Sequence, residues 1–133
     1  MNEKIVYPEL SFSINGILFE VHNLLGRYTN EQQVCDMIEQ KLIQHSLEYV
    51  REFVVPPTFE GEKSGRHRID FLVGGVIVLE IKHKAYLTKD DYFQAKRYLA
   101  ALDKKLAILV NFREQRLHPK RILNANAKDL NDL

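Results

Sequence analysis

Two short apolar segments, Arg68–Val73 and Val76–Lys82, flank Gly74-Gly75, and each has one carboxylate embedded in it. Ile69-Asp70-Phe71-Leu72-Val73 and Val78-Leu79-Glu80-Ile81-Lys82 are otherwise β-branched or large and apolar, the composition of buried strands. A Gly-Gly pair between two such runs signals a hairpin. A carboxylate inside a buried strand costs desolvation free energy unless something offsets it. Lys82 lies two residues after Glu80 and shares its face by the strand period of two. Two offsets are open. One is a buried ion pair of Asp70 or Glu80 with Lys82 and no further role. The other is a hard divalent cation, Mg²⁺ or Mn²⁺, held by both carboxylates with retained waters.

The register of the hairpin decides whether the second offset is geometrically available. A two-residue turn at Gly74-Gly75 would pair Val73 with Val76, set Asp70 opposite Leu79 and send Glu80 to the other face. A shared cation needs the register moved by one. The expectation is therefore a three-residue loop or a bulge at this turn.

The rest of the chain supplies helices to cover such a sheet. Ile14, Ile17, Leu18, Val21, Leu24 and Leu25 make one helical stripe over Leu10–Leu25, with Pro8 at the approach, Ser11 as the expected cap and Gly26 as the stop. A second helix starts near Asn30, with Gln33 at the capping-box position, and runs to about Ser46 carrying Val34, Ile38 and Leu42 inward. Glu48–Val55 reads as a strand ended by Pro56-Pro57, and Glu60–Gly65 as a charged loop. Thr88 with Asp91 three residues on opens a helix to about Asp103. Leu106–Asn111 is a buried strand, and Leu117–Ile122 a further edge strand or an extended segment, since Pro119 argues against a central strand. The order α-α-β-β-β-α-β predicts an α/β fold, a mixed β-sheet flanked by helices. A chain of 133 residues suits one domain, expected over 1–123, with 124–133 a C-terminal tail.

The single cysteine, Cys35, excludes an internal disulfide or a Cys-based zinc site and reads as a small core hydrophobe. No run is long enough to span a bilayer and the N-terminus has no signal-peptide pattern, so a cytoplasmic protein with no membrane partner is expected. Net charge is only +1, but Lys82–Arg121 holds eleven Lys/Arg against four Asp/Glu, a local excess of +7. That excess is either a solvated face or a phosphate-binding surface.

Asp70, nine intervening residues and then Glu80-Ile81-Lys82 resemble the PD-(D/E)XK nuclease signature, with Ile69 where that signature often has Pro. Phe19-Glu20-Val21-His22-Asn23-Leu24-Leu25-Gly26, Arg68-Ile69-Asp70, Leu79–Lys82, Leu109-Val110-Asn111-Phe112 and Lys120-Arg121-Ile122-Leu123-Asn124 resemble, in order, the GxxExxY group of that superfamily. The resemblance implies a restriction-endonuclease-like core and metal-dependent hydrolysis of nucleic acid, with DNA the expected substrate. Asp70, Glu80 and the Ile81 carbonyl would bind Mg²⁺, and Lys82 would orient the water. The extra first-helix acid of the superfamily maps to Glu20, which lies beside Leu24 at the margin of the apolar stripe. Gln94 and Tyr98 match a Gln-x-x-x-Tyr pair found near RecB-type sites and lie one helical turn apart. Arg97, Lys84, Lys96 and Arg113, Arg116, Lys120 and Arg121 are candidates to steer the phosphate backbone.

The pattern departs from the group at its name-giving motif. Registered on Glu31, the chain has Tyr28 for the Gly and Val34 for the Tyr, so Glu31 is left outside the expected site. His67 and His83 flank the site, and His22 is expected to be structural or exposed. A catalytically inactive nuclease-fold module that binds nucleic acid or a protein partner is the alternative function. A homodimer is a further option for a chain whose own groove is small.

Overall fold

The computed structural model describes residues 6–128. Helix α1 spans Pro8–Leu25 and α2 spans Glu31–Gln44. Strands β1 (Tyr49–Val55), β2 (His67–Val73) and β3 (Ile77–Lys82) follow, then helix α3 (Lys89–Leu102) and strands β4 (Leu106–Asn111) and β5 (Lys120–Leu123). The five strands form one sheet in the order β1-β2-β3-β4-β5, antiparallel throughout except for the parallel β3–β4 pair. Helix α3 is the crossover that a parallel pair requires. The expected mixed sheet flanked by helices is present, with β5 at an edge as Pro119 requires.

The sheet is buried on both faces because each helix offers a single apolar stripe. Ile14, Ile17, Leu18 and Val21 of α1 and Val34, Ile38 and Leu42 of α2 pack on Phe71, Val73, Ile77, Leu79, Ile81, Ile108 and Val110. Ala95, Tyr98 and Leu99 of α3 pack on the opposite face against Leu72, Val78, Ala107, Leu109 and Ile122. Strands covered on both sides read as continuous apolar runs, which explains the fully buried β4.

Capping follows the side-chain chemistry in two helices out of three. The Asn30 side chain accepts from the Gln33 amide at 2.9 Å, while Gln33 itself accepts from the Thr29 hydroxyl. Thr88 and Asp91 cap each other's backbone in a full capping box. Ser11, expected as the α1 cap, is instead buried inside that helix, and its hydroxyl accepts from Arg121 at 2.7 Å. Pro8 in the first turn lets α1 begin earlier, at a position where a missing N–H costs nothing. Beyond β5, Asn124 bonds the Lys104 and Lys105 carbonyls and Ala127 is buried, so the start of the expected tail is packed on the domain.

The β2–β3 turn has the predicted irregularity. Val73 pairs with Ile77, not Val76, so the loop holds three residues. Gly74 and Gly75 both have positive φ, 61° and 70°, and Val76 donates to the Val73 carbonyl at 3.1 Å. This register places Asp70 opposite Glu80.

A Cβ at Gly74 would come within 2.9 Å of Leu10 Cδ2 on backbone already in the left-handed region. Gly74→Ala should therefore lower unfolding free energy by about 1–2 kcal/mol. Gly16→Ala, an exposed helical site with open space at the Cβ, should raise it by about 0.5–1 kcal/mol. Urea titrations of both variants check this; equal midpoints would contradict the loop geometry.

Candidate active site

The sheet is irregular where the two carboxylates sit. Regular pairing between β1 and β2 skips the Glu52–Asp70 step, where Glu52 has a φ of 55°, and pairing between β2 and β3 ends at Phe71–Leu79. Ile69 and Phe71 are two residues apart, yet they belong to the cores on opposite faces. A strand of period two cannot do that without a local change of hand, and Asp70 is the residue at the change.

The opened ladder is filled by side chains. The Asp70 amide donates to Glu80 Oε1 at 3.1 Å, and the Ile81 amide donates to Asp70 Oδ2 at 2.6 Å. Each carboxylate thus accepts a backbone amide bond where the ladder is open. Asp70 also lines a cavity of about 360 Å³ with Glu31, Gln32 and Cys35 of α2 and Arg51 and Glu52 of β1. On the other side, Lys82 Nζ donates to Gln94 Oε1 of α3 at 3.4 Å, a weak contact.

Burial dominates the electrostatics. Glu80 is 4% exposed, and desolvation pushes its carboxyl well above the usual range, reinforced by the Asp70 charge and opposed by the Asp70 amide and Lys82. Asp70 is raised in the same direction, first by burial and also by Glu31, against the Ile81 amide, Lys82 and Arg51. Nearby charge also raises the Tyr98 hydroxyl: burial comes first, then Glu80, with Arg97 opposing. Ionising the two carboxyls therefore costs more than the neighbouring cations and amides return.

Among the described residues, no group of three or more His, Cys, Asp or Glu is arranged to hold a metal ion. Asp70 and Glu80 are a pair, and a pair suits Mg²⁺, which is commonly held by one or two carboxylates and keeps several waters. The raised carboxyls and the open cavity beside Asp70 fit such an ion.

A family model described as the PD-(D/E)XK nuclease superfamily matches residues 8–122. The chain belongs to this superfamily. No curated protein and no solved structure matches it.

Against the superfamily pattern, the structure distributes the expected residues unevenly. Asp70, Glu80, Lys82, Gln94 and Tyr98 converge. Glu20 does not join them: its carboxylate pairs with Lys41 at 2.9 Å and lies 3.9 Å from His45, near the C-terminal end of α2. The cavity touches the other end of that helix, at Glu31 and Cys35. Cys35 to Lys41 is six residues, roughly 9 Å of helix rise. Glu31, left outside the expected site, lines the cavity and raises both Asp70 and Glu80.

Three of the basic candidates, Lys84, Lys96 and Arg121, have side-chain partners within the chain. Lys84 Nζ bonds Asp91 at 2.8 Å, and the net effect of its partners is to hold the Asp91 carboxyl down despite burial. Arg97 lines a separate cavity of about 320 Å³ with Pro57, Thr58, Ala100 and Ala101. Lys96 bonds the Leu123 carbonyl, and Arg121 bonds Ser11 and the Val6 carbonyl. His22 bonds the Glu114 carbonyl, His83 the Arg27 carbonyl, and His67 packs its ring against Tyr98 at 6.0 Å. Cys35 is buried, and its thiol is pushed far up by burial and by Asp70, which fits a core side chain and not a nucleophile.

Sequence inspection gave no reason to single out Asn111 beyond the family block. It is fully buried, and its side chain accepts from the Lys84 and Arg113 amides and donates to the Lys84 carbonyl. That clamp fixes the chain directly after Lys82.

A carboxyl whose folded pKa is raised binds more protons in the native state than in the unfolded state. Its neutral form is the compatible one, so stability falls as pH rises from the unfolded value, near 4, through the raised one. Without divalent cation, the melting temperature should therefore fall between about pH 5 and 8, and Mg²⁺ at pH 8 should restore it. Asp70→Asn should stabilise the metal-free chain at pH 8 by roughly 1–3 kcal/mol and abolish the Mg²⁺ response. A flat pH profile with no Mg²⁺ effect would contradict the buried-charge account.

Proposed function

We propose that the chain is a metal-dependent nuclease of the GxxExxY group that hydrolyses phosphodiester bonds in nucleic acid. What carries the reading is the opposition of Asp70 and Glu80 across an opened strand pair with Lys82 on the same stretch of β3. Asp70, Glu80 and the Ile81 carbonyl would hold one Mg²⁺ or Mn²⁺. When bound, the ion supplies Lewis-acid polarisation of a phosphate and lowers the pKa of a water.

The chain's own residues do the rest. Lys82 places a positive charge where charge develops on the phosphate and orients the attacking water. Gln94 accepts a weak hydrogen bond from the Lys82 ammonium on the α3 side. Glu31 stands across the cavity, where its carboxylate can accept a hydrogen bond from water. Packing of Tyr98 beside Glu80 keeps solvent off the α3 side.

Incubation with Mg²⁺ or Mn²⁺ and mixed single- and double-stranded DNA and RNA tests this reading. Native chain should cut, Lys82→Ala should lose at least about 100-fold in rate while still binding metal, and Glu31→Gln should lose more than Glu20→Gln. Metal binding without cutting would instead identify an inactive nuclease-fold module. Equal cutting by Lys82→Ala would remove Lys82 from the mechanism.

A further inference from the structure

Tyr28 is 88% exposed and Tyr86 is 73% exposed, and both stand on loops that leave the site. Tyr28 precedes Glu31 by three residues and Tyr86 follows Lys82 by four, so full extension keeps them within roughly 10 and 14 Å of those residues. His83 Nε2 donates to the Arg27 carbonyl at 2.9 Å and ties the two loops together. The Asn111 clamp on Lys84 holds the second loop from behind. The Arg27 guanidinium lies 5.3 Å from the Tyr28 ring centroid. Two solvent-facing aromatic rings on braced loops beside an acidic cavity are poor candidates for core packing and good ones for stacking on a ligand's flat face.

We propose that Tyr28 and Tyr86 are a base-stacking platform and that the site takes single-stranded nucleic acid. This rests on the nuclease-site reading and adds its substrate class. Bases inside a duplex are stacked on each other and offer no free face to a tyrosine, whereas a single strand offers one at every nucleotide. Charge points the same way. Lys84, Arg51 and Lys41 are each paired with carboxylates, Asp91, Asp36 and Glu39, and Glu20 respectively. Cations held by carboxylates in this way are less available to phosphate, which leaves ring stacking a larger share of the grip.

The test is binding of short single-stranded DNA and RNA, the matching duplexes and an abasic strand, with Mg²⁺, in a Lys82→Ala background that keeps the strand intact. The chain has six Tyr and no Trp, so ring stacking reads directly as quenching of tyrosine emission, alongside anisotropy. Single strands of one or both sugars should bind at least tenfold tighter than duplex or abasic strand. Tyr28→Ala and Tyr86→Ala should each weaken binding by roughly 5- to 100-fold, and the Phe variants should restore it. Unaltered binding by the Ala variants, equal affinity for abasic strand or duplex, or no binding at all would overturn the proposal. Ring-dependent binding by a native chain that never cuts would overturn catalysis and leave this inference standing.

Discussion

Two buried carboxylates that accept each other's strand amides are the constraint on which the rest of this structure depends. Asp70 and Glu80 could not lie side by side in a regular ladder, because the backbone bonds would close the gap and leave both charges among apolar neighbours. Opening the ladder by one step gives each an N–H and leaves an electrostatic deficit directed at the cavity. The three-residue Gly74-Gly75-Val76 loop sets the register that makes them opposite, and the left-handed Glu52 lets β1 follow the change of hand at Asp70. The two-sided core holds the opened strands in place.

That arrangement trades stability for a site. A pair of carboxyls with raised pKa values destabilises the metal-free chain at neutral pH, and a cation would return part of that free energy on binding. The same logic explains why the supporting residues are neutral or fixed: Asn111 clamps backbone, Asn30 and Thr88 cap helices, and Gln94 bonds Lys82. These polar groups are hydrogen-bonded, which holds the backbone around the two carboxyls in place.

The sheet and its helices were legible because periodicity reports burial. Alternating or continuous apolar runs placed four strands and three helices to within a few residues, with the segment of β5 left as an edge strand or extended chain, and the need for Asp70 and Glu80 to share a cation predicted the loop at Gly74-Gly75. The switch of faces at Asp70 was not legible, since Ile69 and Phe71 look like one side of an ordinary strand. Glu20 was misplaced for a three-dimensional reason: which end of α2 lies over the opened strands is set by the crossing of α1 and α2, and helical spacing is silent on that. The fate of the lysines and arginines was hidden too, because a charge count cannot tell Lys84 paired with Asp91 from a lysine free to meet phosphate.

The central claim is that Asp70 and Glu80 share one divalent cation. Anomalous diffraction from Mn²⁺-soaked crystals tests it most directly. One strong peak bonded to both carboxylates and the Ile81 carbonyl is expected, absent in Asp70→Asn crystals. A peak only at Glu20, or carboxylates still bonded to the Asp70 and Ile81 amides with no peak between them, would contradict it.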